Sequence, residues 1–118
     1  MPVKPRSGAV SPRTELARVA LEAAVGVDGV AAGNAGPTGQ YVTSWGGVRL
    51  AGVVATAQGA GCFSVDLFLT AELVPLHELG ECLLVVVGEA VREAGLGDRL
   101  GNVSVSFLDV EHPLGWAS

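Results

Sequence analysis

Two histidines, two cysteines and twelve acidic residues carry most of the reactive chemistry in this 118-residue chain. His77, Glu78 and Glu81 fall within one turn of a predicted helix, and residues 77 and 81 share a face at i, i+4 spacing. Joined by Cys82 or His112, they have the donor types for a divalent metal. Zinc sites, however, are built from closely spaced Cys and His pairs, and no such pair occurs here. The expected role of the trio is a solvated helix start whose acids favour the helix dipole. No metal and no cofactor is expected on this reading.

Other chemistries find even less support. Cys62 and Cys82 are too few for a disulfide framework, and neither has a neighbouring Lys or Arg in sequence to lower a thiol pKa. Cys82 is expected in the core as a small apolar side chain, and Cys62 at a hairpin. No G-x-S-x-G turn presents a nucleophilic serine. Gly33-Asn34-Ala35-Gly36 lacks the strand before it and the Lys-Ser/Thr that a phosphate loop requires. Asp66, Glu72, Asp109 and Glu111 could act as acids or bases in an apolar cleft. On alternating strands they are expected to line the solvent face. The chain is therefore expected not to be an enzyme, and no catalytic residue is assigned.

The elements that would position these residues are well marked. Ser11-Pro12 predicts an N-cap followed by proline at the first helical position, with Glu15 favouring the helix start. That helix runs to about Val25 with Leu16, Val19, Ala20 and Ala23 on its apolar stripe, and Gly26 stops it. Gly33–Gly39 reads as a loop, and Gln40–Ser44 is open to a short fourth strand. Val48–Thr56 predicts a strand with a bulge at Gly52, closed by a hairpin onto Phe63–Leu73. Pro75 then opens a long helix over about Leu76–Ala94, with Leu76, Leu79, Leu83, Val86, Val87, Ala90 and Val91 at helical spacing. Val103–Val110 alternates as the last strand. The order helix-strand-strand-helix-strand predicts an α+β two-layer sandwich, with two helices on one face of a small, mainly antiparallel three-stranded sheet. Residues 11–111 form its single domain, and residues 1–10 and 112–118 are tails.

Composition narrows the partners. Seven Lys and Arg against twelve Asp and Glu give a net charge of −5, and Lys4, Arg6 and Arg13 all precede the first acid. The rest of the chain repels phosphates, so nucleic acid is not an expected ligand. The longest apolar run, Cys82–Val87, is far shorter than the ~20 residues of a membrane span. Met1–Ser11 has no apolar signal core, so the expected location is the cytoplasm. Trp45, Val85, Val86 and Trp116 are the candidate contact residues, because exposed tryptophans and apolar patches mark interfaces.

Four stretches together resemble the alkaline shock protein family of bacterial envelope stress response proteins. Leu16–Ala24 with Gly26-Val27-Asp28-Gly29-Val30 is similar to the family's first helix and exit, and Gly47–Val53 to a following strand. The Val65–Leu69 strand leads through Pro75-Leu76 into a long helix, and Val103-Ser104-Val105 with Asp109-Val110 is similar to the closing strand. The resemblance implies a non-enzymatic cytoplasmic protein of envelope homeostasis. It would act through self-association, through family relatives or through a membrane-anchored partner. The competing reading is a metal- or thiol-dependent assembly factor, similar to a small iron–sulfur assembly module, which requires Cys62, Cys82 and His77 to converge. A third is a small enzyme using Asp66 or Glu72.

Overall fold

Helix α1 (Pro12–Val25) starts as its sequence predicts: the Ser11 hydroxyl accepts from the Thr14 N–H at 3.2 Å, and Pro12 occupies the first turn. The computed structural model describes residues 11–111. Arg18 on α1 is paired with Glu15 and Glu22, and the hydrogen bonds it donates to the Glu15 carboxylate hold its guanidinium above the usual range. Leu16, Ala17, Val19, Ala20 and Ala24 turn inward, forming the apolar stripe of an amphipathic helix. After Gly26 the chain enters β1 (Val30–Gly33), then a hairpin of β2 (Val42–Trp45) and β3 (Val48–Ala51). β4 (Val53–Gly59), β5 (Cys62–Glu72), α2 (Leu76–Glu93), a 3₁₀ turn (Gly97–Arg99) and β6 (Leu100–Glu111) complete the domain.

β5 organises the main sheet. Its residues 62–67 pair antiparallel with β4, and 69–71 pair antiparallel with β1, so β4 and β1 follow one another along a single edge. The other edge pairs in parallel with β6, from Phe63–Leu100 to Glu72–Glu111. A parallel partner requires a crossover connection, and α2 supplies it. On β5 the alternate residues Val65, Leu67, Leu69 and Ala71 are completely buried beneath both helices, together with Leu83, Val87 and Val91 of α2. The α+β two-layer architecture thus holds as predicted.

Four local differences have physical causes. The predicted Val48–Thr56 strand is two strands in two sheets, because Gly52 turns the chain at φ +96°. Its N–H donates to Tyr41 O at 2.7 Å, and its carbonyl accepts from Phe68 N–H at 2.8 Å. A Cβ there would lie 2.5 Å from Phe68 O and 2.6 Å from the Asn34 nitrogen, so glycine is required both for its conformation and for its closeness. β1 carries no alternation long enough to announce itself and forms because β5 offers it an edge. Cys82, expected in the core, is exposed, since α2 turns Leu79, Leu83, Val87 and Val91 inward and leaves residue 82 outward. Pro75 lies one position earlier than a first helical residue, as the N-cap of α2 at φ −63° and ψ 112°.

Gly52→Ala is expected to destabilise the domain by roughly 2–4 kcal/mol, lowering Tm by about ten degrees or more in a thermal melt. Cys82→Ser, by contrast, should shift the same melt by less than about 0.5 kcal/mol, as surface substitutions do. In the native fold Cys82 should also react with an alkylating thiol reagent.

Candidate functional site: the groove between α2 and β6

Because α2 carries the chain from β5 back to β6, it crosses the sheet beside the last strand. Gly80 faces the strand, where a Cβ would make an ordinary contact with the Phe107 ring at 3.9 Å. Between them runs an open groove of about 340 Å³, walled by Leu76, Gly80 and Leu84 on the helix and by Val103, Val105 and Phe107 on the strand. His77 and Glu81 stand at its rim, with Nε2 and Oε2 3.2 Å apart. Their side chains are 84% and 68% exposed, so the pair has open access to solvent. Among the described residues, β6 pairs with β5 alone, and its second edge borders this groove.

The other candidates disperse. Cys62 lies at the β4–β5 hairpin, its Sγ donating to Asp98 O at 3.4 Å. His77 lies at the opposite end of α2, beside the exit from β5, so Cys62 and His77 do not converge. No group of three His, Cys, Asp or Glu side chains able to hold a metal occurs among the described residues. His112 and Trp116 lie outside the described residues. Asp66 accepts a hydrogen bond from the Ser104 hydroxyl, and Glu72 is exposed at the end of β5. Neither carboxylate lines the groove. Trp45, a candidate contact residue, is the last residue of β2, opposite Val48. Val85 is 59% exposed, and its neighbour Val86 is half-buried.

A second concavity of about 520 Å³ lies between the Asn34–Tyr41 loop and Leu108 and Asp109 of β6. Asn34 is committed to structure there: its amide donates to Thr70 Oγ1 at 3.0 Å and its side-chain oxygen accepts from Gly36 N–H at 2.9 Å. Tyr41 stacks on Phe68 with ring centroids 3.7 Å apart. No helix among the described residues is long and apolar enough to cross a membrane.

Sequence reasoning missed Leu84, at 46% exposure, as the centre of the exposed apolar face. The signal was present in Gly80-x₃-Leu84-x₃-Gly88, which places two glycines one turn either side of a leucine on one helix face. Which strand lies beside that face is visible only once the chain has folded.

The site and fold define a small two-layer α+β domain with a central strand, an open strand edge and an apolar groove. No family model and no curated protein matches the chain. Solved structures with this fold include the copper form of MamM CTD, with a TM-score of 0.52 at 16% identity over 88% of this chain and 89% of that one. A methionine-to-leucine variant of MamM CTD gives 0.52 at 19% identity, covering 87% of this chain and 100% of that one. A cysteine-to-serine variant gives 0.51 at 18%, covering 87% and 99%. These structures share the fold and correct the resemblance to alkaline shock proteins. The four stretches that carried it are a capped helix, two strands and a proline-led helix, patterns that this other α+β fold uses equally well. The envelope-stress function that rested on it falls with it.

Proposed function

We propose that the chain is a non-catalytic, self-associating domain that binds a divalent transition-metal ion through His77 and Glu81. The observation that carries this reading is the His77–Glu81 pair, 3.2 Å apart on one helix face and open to solvent beside an unpaired strand edge. Imidazole and carboxylate are both ligands for zinc, copper and nickel, and i, i+4 spacing on a helix is a two-donor foothold. Two donors are half the set of a tetrahedral site. The remaining positions would be taken by water or by donors outside residues 11–111, which makes the ion exchangeable rather than structural. Likeness in fold to MamM CTD, which has a copper form, supports a metal-related role over the envelope-stress reading. The separation of Cys62 from His77 favours this imidazole–carboxylate set over a thiol-based assembly site.

The non-catalytic part of the reading is supported by the open, solvent-washed setting of the carboxylates, which supplies no enclosed apolar cleft to tune an acid or base. Self-association is supported by the exposed Leu84, Val85 and Leu108, which lie on α2 and β6.

Isothermal titration of the full chain with Zn²⁺ or Cu²⁺ tests the metal. The expected result is a weak one-site isotherm that His77→Ala removes and Glu81→Gln weakens about tenfold or more. The same isotherm in His77→Ala would overturn the assignment.

A further inference from the structure

We infer that the unpaired edge of β6 joins that of a second copy of this chain, antiparallel about Val105, giving a closed dimer with one continuous sheet. The inference rests on the self-association proposed above and adds its surface and register.

A twelve-residue strand with a free edge is a template for another strand, and natural proteins shield such edges with bulges, prolines, charges or cover. β6 has no proline and, between Leu100 and Leu108, no charged residue. Its sequence suits its own copy. Antiparallel pairing centred on Val105 sets Val103 against Phe107 of the second copy, and Ser104 against Ser106. No like charges are opposed. The strand's acids, Asp109 and Glu111, lie at one end, and Arg99 adjoins the other. β6 carries one extra residue on each side of Val105, at residues 101–102 and at Leu108, so Glu111 comes opposite Arg99 at both ends. The exposed Arg99 guanidinium, which donates to Gly61 O at 3.3 Å in the single chain, turns to meet it. A parallel arrangement would instead set each acid against its own copy, which is repulsive. The antiparallel pair uses both free edges at once, so it closes rather than growing into a filament.

The helix layer fits the same axis. Gly80 lies over Phe107, and α2 runs antiparallel to β6. Four residues of helix and two of strand both advance about 6 Å, which puts Leu84 over Val105, on the axis. α2 packs closer to β6 than to β5, so α2 and its symmetry mate face one another directly across the axis. Gly80 and Gly88 flank Leu84 on that face. Within one chain a Cβ at either would make only ordinary contacts, at 3.9 and 3.8 Å. Two mid-helix glycines weaken a helix, and the single chain's packing requires neither. Against a second α2 they let the backbones approach around the two leucines.

Sedimentation equilibrium of the full chain in EDTA tests the inference, with circular dichroism as the folding control. The wild type is expected to dimerise without metal. Leu84→Lys, which sets two ammonium groups on the axis, should weaken the dimer tenfold or more while the spectrum is kept. Arg99→Glu and Glu111→Arg should each weaken it, and the double reversal should recover most of the loss. That recovery is specific to the antiparallel register and decides the case even if Leu84→Lys fails to fold. A wild-type dimer with no recovery in the double reversal would overturn this interface and leave self-association standing. A monomer at every concentration would overturn both.

Discussion

The structure depends on β5 having both edges and one whole face occupied at once. Its backbone is paired with β4 and β1 on one side and β6 on the other, while Val65, Leu67, Leu69 and Ala71 are sealed beneath two helices. Buried backbone groups must be hydrogen-bonded, so a strand so deeply placed needs a partner along its full length. Eleven residues are more than β4 alone can cover. β1 therefore completes the edge, and the junction between the two is where Gly52 passes its carbonyl to Phe68. The short hairpin of β2 and β3 is a consequence: once Gly52 has turned the chain, residues 48–51 can no longer continue along β5.

The parallel placement of β6 follows from the same centre. β5 and β6 point the same way, so α2 must carry the chain back across the sheet, and its inward stripe of Leu79, Leu83, Val87 and Val91 closes the core. The outward stripe is what remains. Leu84, Val85 and the exposed edge of β6 are not defects of packing. They are the surface left over when a small sheet ends in its longest strand with nothing beyond it among the described residues. The His77–Glu81 pair lies at the rim of that surface because the N-cap of α2 is fixed by Pro75 at the end of β5.

Much of this was legible in the chain. Ser11-Pro12 and Gly26 bracket α1 with standard capping chemistry, and the two-residue alternation of β5 and β6 and the helical spacing of α2 identify their own elements. Those signals are local: each depends on a residue and its neighbours within a turn or two. β1 was not legible, since four residues without alternation carry no periodic signal and acquire a strand's geometry only from β5. Gly52 was visible as an irregularity, but not as the point where one strand becomes two. Cys82 was misplaced because an apolar run of six residues does not say which of them face inward.

Sequence by itself determined the helices, the long strands, the two-layer class and the absence of closely paired Cys and His. Local conformation and amphipathic period are properties of neighbouring residues, which the chain specifies directly. Only the tertiary structure decided that β6 lies parallel to β5 with an edge left unpaired among the described residues, that Leu84 and Val105 line one groove, and that Cys62 and His77 sit at opposite ends. Those are relations between residues fifteen or more positions apart along the chain, set by which faces the shared core must bury. The resemblance drawn from short helix and strand patterns failed for the same reason: such patterns specify elements, whereas the arrangement of elements, and the surface that arrangement exposes, belongs to the fold.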